Sequence, residues 1–334
     1  MPQRTMKVLL ALTLAAGLAR AAGAAEPIEA VCGKAASDPA LTWYSSQEET
    51  RNEAAITAFH KLYPRVKVES LRLVTGKLAA RYAAERSAGV NNAGLITLGD
   101  PIFIAQGQKA GWFVDFQQSE MPALAKLDPR WFDHGAATST ISILGIAYNK
   151  DQVGKDAPKT WTDLLNPKWK GRLLLGDPRS VPSYMALARI WAEKYGDEFL
   201  IQLAAQKPTW VPSVVPVTQQ LGAGEVPIVA PNVLSVVTPL QKEGAPIEFV
   251  IPDTTTGNEF VVLISKGTSS PNAAWCLYNF LFTPEGQAAF TGPVSASTMG
   301  RNGDVPGLPA NYIDPRIPEL GPVQPKLLKL LGLQ

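Results

Sequence analysis

Short apolar runs alternate with amphipathic segments along this chain, and that alternation confines it to layered α/β architectures. Leu41 to Ser45 reads as a first strand. Ile56, Phe59, Leu62 and Tyr63 share one face of a helix predicted over 49–63, and Pro64 stops it. Val66 to Leu73 alternates as a second strand, 77–88 is a second helix entered through Thr75 and Gly76, and Leu95 to Leu98 is a third strand. Gly99, Asp100 and Pro101 break that strand before another helix. The loops that follow the strands are polar: Ser45-Ser46-Gln47, Val74-Thr75-Gly76-Lys77 and Leu98-Gly99-Asp100. In open α/β sheets such loops gather at the carboxyl edge, where ligands bind. Any one of them could be only a turn, and Asp100 reads more simply as a helix cap; together they predict a crevice.

Farther along, Thr160 to Ser183 (TWTDLLNPKWKGRLLLGDPRSVPS) contains a second strand–loop–helix unit. Arg172 to Gly176 is a short buried strand, Asp177 to Ser183 a polar loop, and Tyr184 to Tyr195 the helix that follows. A loop at a helix N-terminus favours negative charge through its free N–H groups and the macrodipole, and Arg179, Ser180 and Ser183 would add side-chain donors. The plainer alternatives are that Asp177 and Ser183 cap the helix and that Arg179 pairs with Asp177 to brace the loop.

The chain has 334 residues, 31 of them Lys or Arg and 29 Asp or Glu. Arg4 and Lys7 precede an apolar stretch from Val8 to Leu18, and Gly23-Ala24-Ala25 supplies small residues before Glu26, the pattern of a cleavable signal peptide over 1–25. The apolar stretch falls well short of the roughly 20 residues a membrane span needs. Cleavage would remove Arg4, Lys7 and Arg20 and no acid, leaving a mature chain close to neutral. That balance argues against nucleic acid as a partner. About 300 residues exceed what one core organises, so two lobes are expected. Cys32 and Cys276 are two cysteines in an oxidising setting; a single bridge and a buried free Cys276 are both compatible with the sequence.

LTWYSSQEE, FHKLYPRVKVE, TGKLAARYAAERSAG, TWTDLLNPKWKGRLLLGDPRS, GAGE and PNAAWCLYNFLFTPEGQ follow one another as they do in family 1 extracellular solute-binding proteins. The chain resembles these ligand-capturing components of bacterial ABC importers over roughly 41–290. The branch is similar to periplasmic ferric-iron, thiamine and phosphonate binders. The resemblance implies a two-lobed α/β type II periplasmic binding protein fold, each lobe a mixed sheet flanked by helices, with two crossover strands as hinge. Ile141 to Asn149 and Thr255 to Ile264 would cross over. Lobe one would hold 26–140 plus 256–290, lobe two 141–255, and the tail over 291–334 is left unassigned. The implied protein is a periplasmic monomer that captures a solute by hinge closure and delivers it to the membrane permease of an ABC importer, with no cofactor. A receptor-docking sensor would share this binding chemistry.

In iron-binding relatives the first loop often carries a histidine or acid, and two adjacent tyrosines in the second lobe grip the metal. Here Glu48 falls at or beside the first position, but Glu225 to Ser235 has no tyrosine and places about Leu234-Ser235 where the pair would be. Ferric iron wants hard anionic oxygens, so iron is the secondary expectation. A small organic anion (carboxylate, phosphonate or phosphate) fits better. Asp177, Arg179, Ser180 and Ser183 would grip it from lobe two. Ser45, Ser46, Gln47, Thr75, Gly76, Lys77, Gly99 and Asp100 would answer from lobe one, with Asn232 and Asn258 beside them. Trp210, next to Val211-Pro212-Ser213, is the one aromatic candidate for the cleft. No Gly-x-Ser-x-Gly, His-Glu-x-x-His or Gly-x-x-x-x-Gly-Lys occurs, and His60 and His134 are the only histidines. Asp133 could pair with His134 in a loop of the first lobe. A secreted enzyme on the same scaffold is therefore the rival reading, not the first.

Overall fold

The computed structural model describes residues 26–334, so the signal peptide expected over 1–25 lies outside the described residues. The first half alternates as the sequence predicts. α1 (Ile28–Ala35) precedes β1 (Leu41–Ser45), α2 (Glu49–Leu62), β2 (Val68–Arg72), α3 (Thr75–Ser87), β3 (Leu95–Leu98) and α4 (Pro101–Lys109). β1 lies between β2 and β3 and is parallel to both, as right-handed strand–helix–strand units require. β4 (Phe132–Asp133) then leads into β5 (Ala136–Asn149).

A second set of alternations follows. α5 (Lys150–Val153) is followed by β6 (Leu173–Gly176), α6 (Pro182–Tyr195), α7 (Asp197–Ala205) and β7 (Thr209–Val211). α8 (Val214–Gly222), β8 (Ile228–Val233), α9 (Leu234–Lys242) and β9 (Ile247–Val250) complete it. β6 is parallel to both β7 and β8. β10 (Gly257–Ile264) then returns to the first sheet, antiparallel to β3. α10 (Pro271–Leu281), α11 (Pro284–Phe290), β11 (Ala296–Ser297) and α12 (Gln324–Leu330) finish the chain.

The strand order is β2-β1-β3-β10-β5-β8-β6-β7, and β5 is the element shared by both sheets. Its first part pairs with β10, from Ala137 opposite Val262 to Ile143 opposite Gly257. Its second part pairs with β8 and β9. One long strand therefore crosses from one half to the other, buried along nearly its whole length. Each half has apolar layers on both faces of its sheet. Trp43, Phe59, Tyr278 and Phe290 anchor one layer of the first half, and Tyr44, Tyr82 and Phe103 the other. Trp161, Trp169, Trp191 and Phe199 do the same in the second half, opposite a smaller layer around Val217, Leu221 and Val229.

The TWTDLLNPKWKG run turns out to be structural. Thr160 and Asp163 form a reciprocal cap on a short 3₁₀ turn, and Asn166 caps the next one. Trp161 is fully buried against Trp191, and its Nε1 donates to the Thr254 carbonyl at 2.6 Å, just ahead of β10. Truncating a buried tryptophan of this kind costs about 3–5 kcal/mol. Cys32 and Cys276 are disulfide-bonded, which ties α1 to α10.

The tail divides between the two halves. Ala296 and Ser297 pair with Ile141 and Thr140 of β5 in the first half. Tyr312 then lies beside Thr255, with the Ile313 N–H donating to the Thr255 carbonyl at 2.8 Å. Ile317, Leu320, Leu327 and Leu331 finally bury themselves in the tryptophan layer of the second half.

Candidate ligand-binding cleft

Loops at the carboxyl ends of strands from both halves converge on one cavity of about 50 Å³. From the first half it is reached by Ser46 and Glu48 after β1 and by Arg72 and Thr75 at the β2–α3 turn. From the second half come Tyr184, Ser213 and Val233, and β10 contributes Asn258. Five helices begin at this wall: Glu48, Val74, Val181, Ser213 and Val233 are the N-cap residues of α2, α3, α6, α8 and α9. None of the five caps makes a side-chain capping hydrogen bond. The N–H groups of the first turns that no backbone carbonyl takes up are thus left for another acceptor, although Pro182 of α6 and Pro216 of α8 have none and the Arg51 and Tyr184 N–H groups donate to the Glu48 and Val181 carbonyls; the positive ends of five macrodipoles still meet around one space. Arg72 adds a full positive charge. It sits at the carboxyl end of β2, level with Ser45 of β1, and no ion pair among the described residues uses it.

Several buried polar atoms in this region have no partner in the protein: Ser46 Oγ, Gln47 Nε2, Glu48 Oε2, Ser235 Oγ and Thr256 Oγ1. Buried polar atoms are normally hydrogen-bonded, so such a cluster is a mark of use rather than of stability. Burial pushes the Glu48 carboxyl upward. Its own backbone N–H, the neighbouring Ser235 and the fields of Arg72 and Arg51 pull the other way without reversing the shift. Tyr184 is also pushed up, chiefly by burial and further by the charge of Glu48. Gly176 explains how Tyr184 reaches this point. A Cβ there would lie 2.4 Å from the tyrosine ring, so only glycine lets the ring lie over the end of β6.

The residues singled out in the sequence fall into distinct places. Ser46, Thr75 and Asn258 line the cavity, and Ser183 Oγ donates to Asn258 Oδ1 at its edge. Gly76 and Lys77 are exposed at the start of α3, where a Cβ on Gly76 would be 3.9 Å from the Ser180 carbonyl of the opposite half. Ser45 and Gln47 are wholly buried. Ser45 Oγ donates to Asn52 Oδ1, and Gln47 Oε1 accepts from the Glu48 N–H. Gly99 is packed against β10, where a Cβ would lie 2.8 Å from the Glu259 carbonyl. Asp100 caps α4, its Oδ1 accepting from the Phe103 N–H at 3.0 Å.

Three placements differ from the anion-clamp expectation or decide between its alternatives, and Arg179 takes the plainer one, bracing its loop. Arg179 does not line the central cavity. Its Nη2 lies 2.6 Å from Asp177 Oδ2 and its Nη1 donates to the Leu333 carbonyl, so the loop acid and the tail take up its donors. That pairing holds the Asp177 carboxyl below its ordinary range despite the opposing effect of burial, which is the largest single influence. Arg179 and Asp100 instead border a larger outer groove of about 330 Å³ between α4 and the tail. Asn232 is the second correction. It lies inside β8, wholly buried, with Nδ2 donating to Thr218 Oγ1 at 2.9 Å, so it braces α8. Third, His134 pairs with Asp115 Oδ1 at 3.0 Å, not with Asp133, and is raised mainly by that bond. Trp210 is on β7 and packs on the tryptophan layer, leaving its neighbours Pro212 and Ser213 to line the cavity.

Sequence reasoning passed over Arg72, Tyr184, Ser213 and Thr256 as site residues and gave Glu48 and Ser235 a place only by analogy with iron sites. The available signal for Arg72 was a charged residue at the last position of a strand, directly ahead of a polar loop. Among the described residues there is no cluster of three or more His, Cys, Asp or Glu suited to a metal ion, and no helix long and apolar enough to cross a membrane.

Residues 91–311 match the family described as bacterial extracellular solute-binding protein. A relative from Haemophilus influenzae, described only as an uncharacterized protein, is 27% identical over 270 residues, covering 77% of each chain. Among solved structures, the substrate binding protein of an ABC transporter from Agrobacterium tumefaciens superposes with a TM-score of 0.75 at 15% identity, over 88% of this chain and 94% of that one. AfuA from Actinobacillus pleuropneumoniae, with exogenous fructose-6-phosphate bound, gives 0.70 at 21% identity, over 88% and 99%. Iron-bound HitA from Pseudomonas aeruginosa gives 0.67 at 19% identity, over 88% and 98%. At these identities the likeness is one of fold, the two-lobed type II periplasmic binding architecture. With the family match spanning well over half of its residues, the chain belongs to the bacterial extracellular solute-binding proteins.

Proposed function

We propose that this protein captures a small organic anion (carboxylate, phosphonate or phosphate) between its halves and delivers it unaltered to the permease of an ABC importer. The observation that carries this reading is the convergence of five uncapped helix N-termini and the unpaired Arg72 on one cavity. The guanidinium offers a two-pronged contact to a planar or tetrahedral acid, and the helix starts supply backbone donors. The anion clamp thus rests on Arg72 and the β2–α3 turn, with Ser46, Thr75, Ser213 and Asn258 as polar contacts, rather than on Arg179. Closure of the halves about β5 and β10 would strip water from these groups. A ligand that fails to match a buried donor would then cost about 1–3 kcal/mol per unmet group, which is the source of selectivity. The likeness to the substrate binding protein of an Agrobacterium tumefaciens ABC transporter supports the permease as partner. Export to the periplasm is in keeping with the family.

A ferric ion or complex is the second reading, because Glu48 and Tyr184 bring two hard oxygens to one cavity and HitA was solved iron-bound. Burial and the charge of Glu48 hold the Tyr184 phenol protonated, so phenolate ligation would have to overcome both. Mass spectrometry of small molecules released from natively purified protein, followed by thermal-shift screening of organic acids, phosphonates, polyamines and ferric complexes, tests the assignment. Release of an acid that stabilises the protein, with the effect lost in Arg72→Ala, is expected. Stabilisation by ferric complexes or polyamines alone would overturn it, and a chemically altered ligand after incubation would point to an enzyme.

A further inference from the structure

Glu48 is the one acid on the wall of a cavity otherwise built to attract negative charge, and the anion reading gives it no task. It follows β1 by three residues, while Arg72 is paired in register with Ser45 at the end of that strand, so the two charged groups stand on adjacent loops at the same sheet edge. Arg72 and Arg51 act on Glu48 only through their field. Its Oε2 is buried with no hydrogen-bond partner, and Ser46 Oγ, in a residue 7% exposed, is in the same condition; Ser235, in a residue 6% exposed, faces the carboxyl and favours its charged form without completing a hydrogen bond to Oε2. Ser235 and the fields of Arg72 and Arg51 favour the charged form of Glu48 against burial, and a donor brought by a ligand would favour it further; in that form the carboxylate can only accept hydrogen bonds. Left buried and unmatched it is costly, so its retention in the cleft calls for a donor that arrives from outside.

We propose that the captured solute is a bifunctional acid: one end is an anionic group for Arg72 and the helix starts, and the other carries a hydroxyl or ammonium donor for Glu48 Oε2, with Ser46 and Ser235 completing the contact. Simple alkyl acids of the same length are then discriminated against, because they leave the Glu48 oxygen unpaired on closure. The proposal rests on the anion reading above, and the two parts separate experimentally because they are carried by different side chains.

The test is calorimetric titration with matched pairs: D-glycerate and 3-aminopropionate against propionate, and glycerol 3-phosphate against propyl phosphate. The donor-bearing member of at least one pair is expected to bind about tenfold tighter or more, equivalent to about 1.4 kcal/mol. Glu48→Ala should abolish that gap, and the size-conserving Glu48→Gln should reduce the ammonium preference more than the hydroxyl preference. Thermal melts of both variants check that they are folded. Arg72→Ala should weaken both members of a pair by the same factor. Equal binding within every pair, no binding by any member, or a gap that survives Glu48→Ala overturns the proposal. An unchanged affinity in Arg72→Ala defeats the anion reading while the Glu48-dependent gap is still read independently.

Discussion

The Ser183 hydroxyl, in the first turn of α6, donates to Oδ1 of Asn258 on β10, joining a helix at the second half's side of the cavity to a strand of the first sheet. Both partners lie at the edge of the cavity, one from α6 and one from β10, so on the closure proposed above this bond would favour the closed arrangement. Asn258→Ala and Ser183→Ala should each favour the open arrangement and weaken solute binding several-fold, on the order of 1 kcal/mol. Solution scattering and calorimetry on the same samples would check this. An unchanged radius of gyration and affinity in both variants would reduce the bond to an incidental contact.

Glu259 on β10 accepts a hydrogen bond from the Tyr312 hydroxyl of the tail, and its carboxyl is pushed up to about 7. Burial is the main cause. Asp314 adds to it, whereas the Tyr312 bond and Arg130 oppose it. The folded protein therefore holds this proton more tightly than the unfolded chain does, and the stability it contributes is full below about pH 4.5 and falls as pH rises through about 7. Asp156, Asp163, Asp177 and Asp253 are all lowered and act in the opposite direction at acid pH, so the difference between variant and parent is the informative quantity. Glu259→Gln is expected to gain stability relative to the parent between pH 5 and 8, by up to about 3 kcal/mol at the alkaline end. Denaturant titrations across that range would show it, and a pH-independent difference would refute it.

The Cys32–Cys276 bond closes a loop with a sequence separation of 244. Cross-links over long loops restrict the unfolded chain most, although strain and residual structure moderate the gain. Reduction, or Cys32→Ser with Cys276→Ser, should lower stability by about 2–5 kcal/mol while leaving solute affinity near its parental value, because α1 and α10 do not border the cleft. Melting curves with and without reductant, paired with calorimetry, would test both halves of this statement.

Arg179 and Arg72 make a discriminating pair. Arg179→Ala should change solute affinity by no more than about twofold, since its donors go to Asp177 and Leu333. Arg72→Ala should cost about tenfold or more, the scale of a lost charge-assisted contact. The reverse ranking would restore the loop after β6 as the anion clamp.

The first three strands and the helices between them were legible because each has a clear apolar period and a stop such as Pro64 or Gly99. α6 begins at Pro182 rather than Tyr184 because proline is well suited to the first helical position, which moves Ser183 from the loop into the helix. The tail was not legible: between β11 and the short helix α12 it is built of 3₁₀ turns and bridges, and β11 and Tyr312 pair with residues far away in sequence. The site was legible as a set of loops but not as a set of side chains. Arg179 and Arg72 look alike in sequence, and only the position of Asp177 and the strand register decide which one is spoken for. Asn232 was misplaced because Pro231 reads as the end of the strand before it, putting Asn232 in a loop, whereas β8 continues through both to Val233.

The carboxyl-terminal segment leaves the first half at β11, passes Thr255 and ends in the apolar layer beneath α6 and α7, while α1 is bonded to α10 at the other extreme of the chain. The first and last described elements, α1 and α12, consequently belong to different halves. A donor dye near Glu26 and an acceptor dye near Gln334 would report breathing of the clamp by energy transfer, whatever the cargo proves to be.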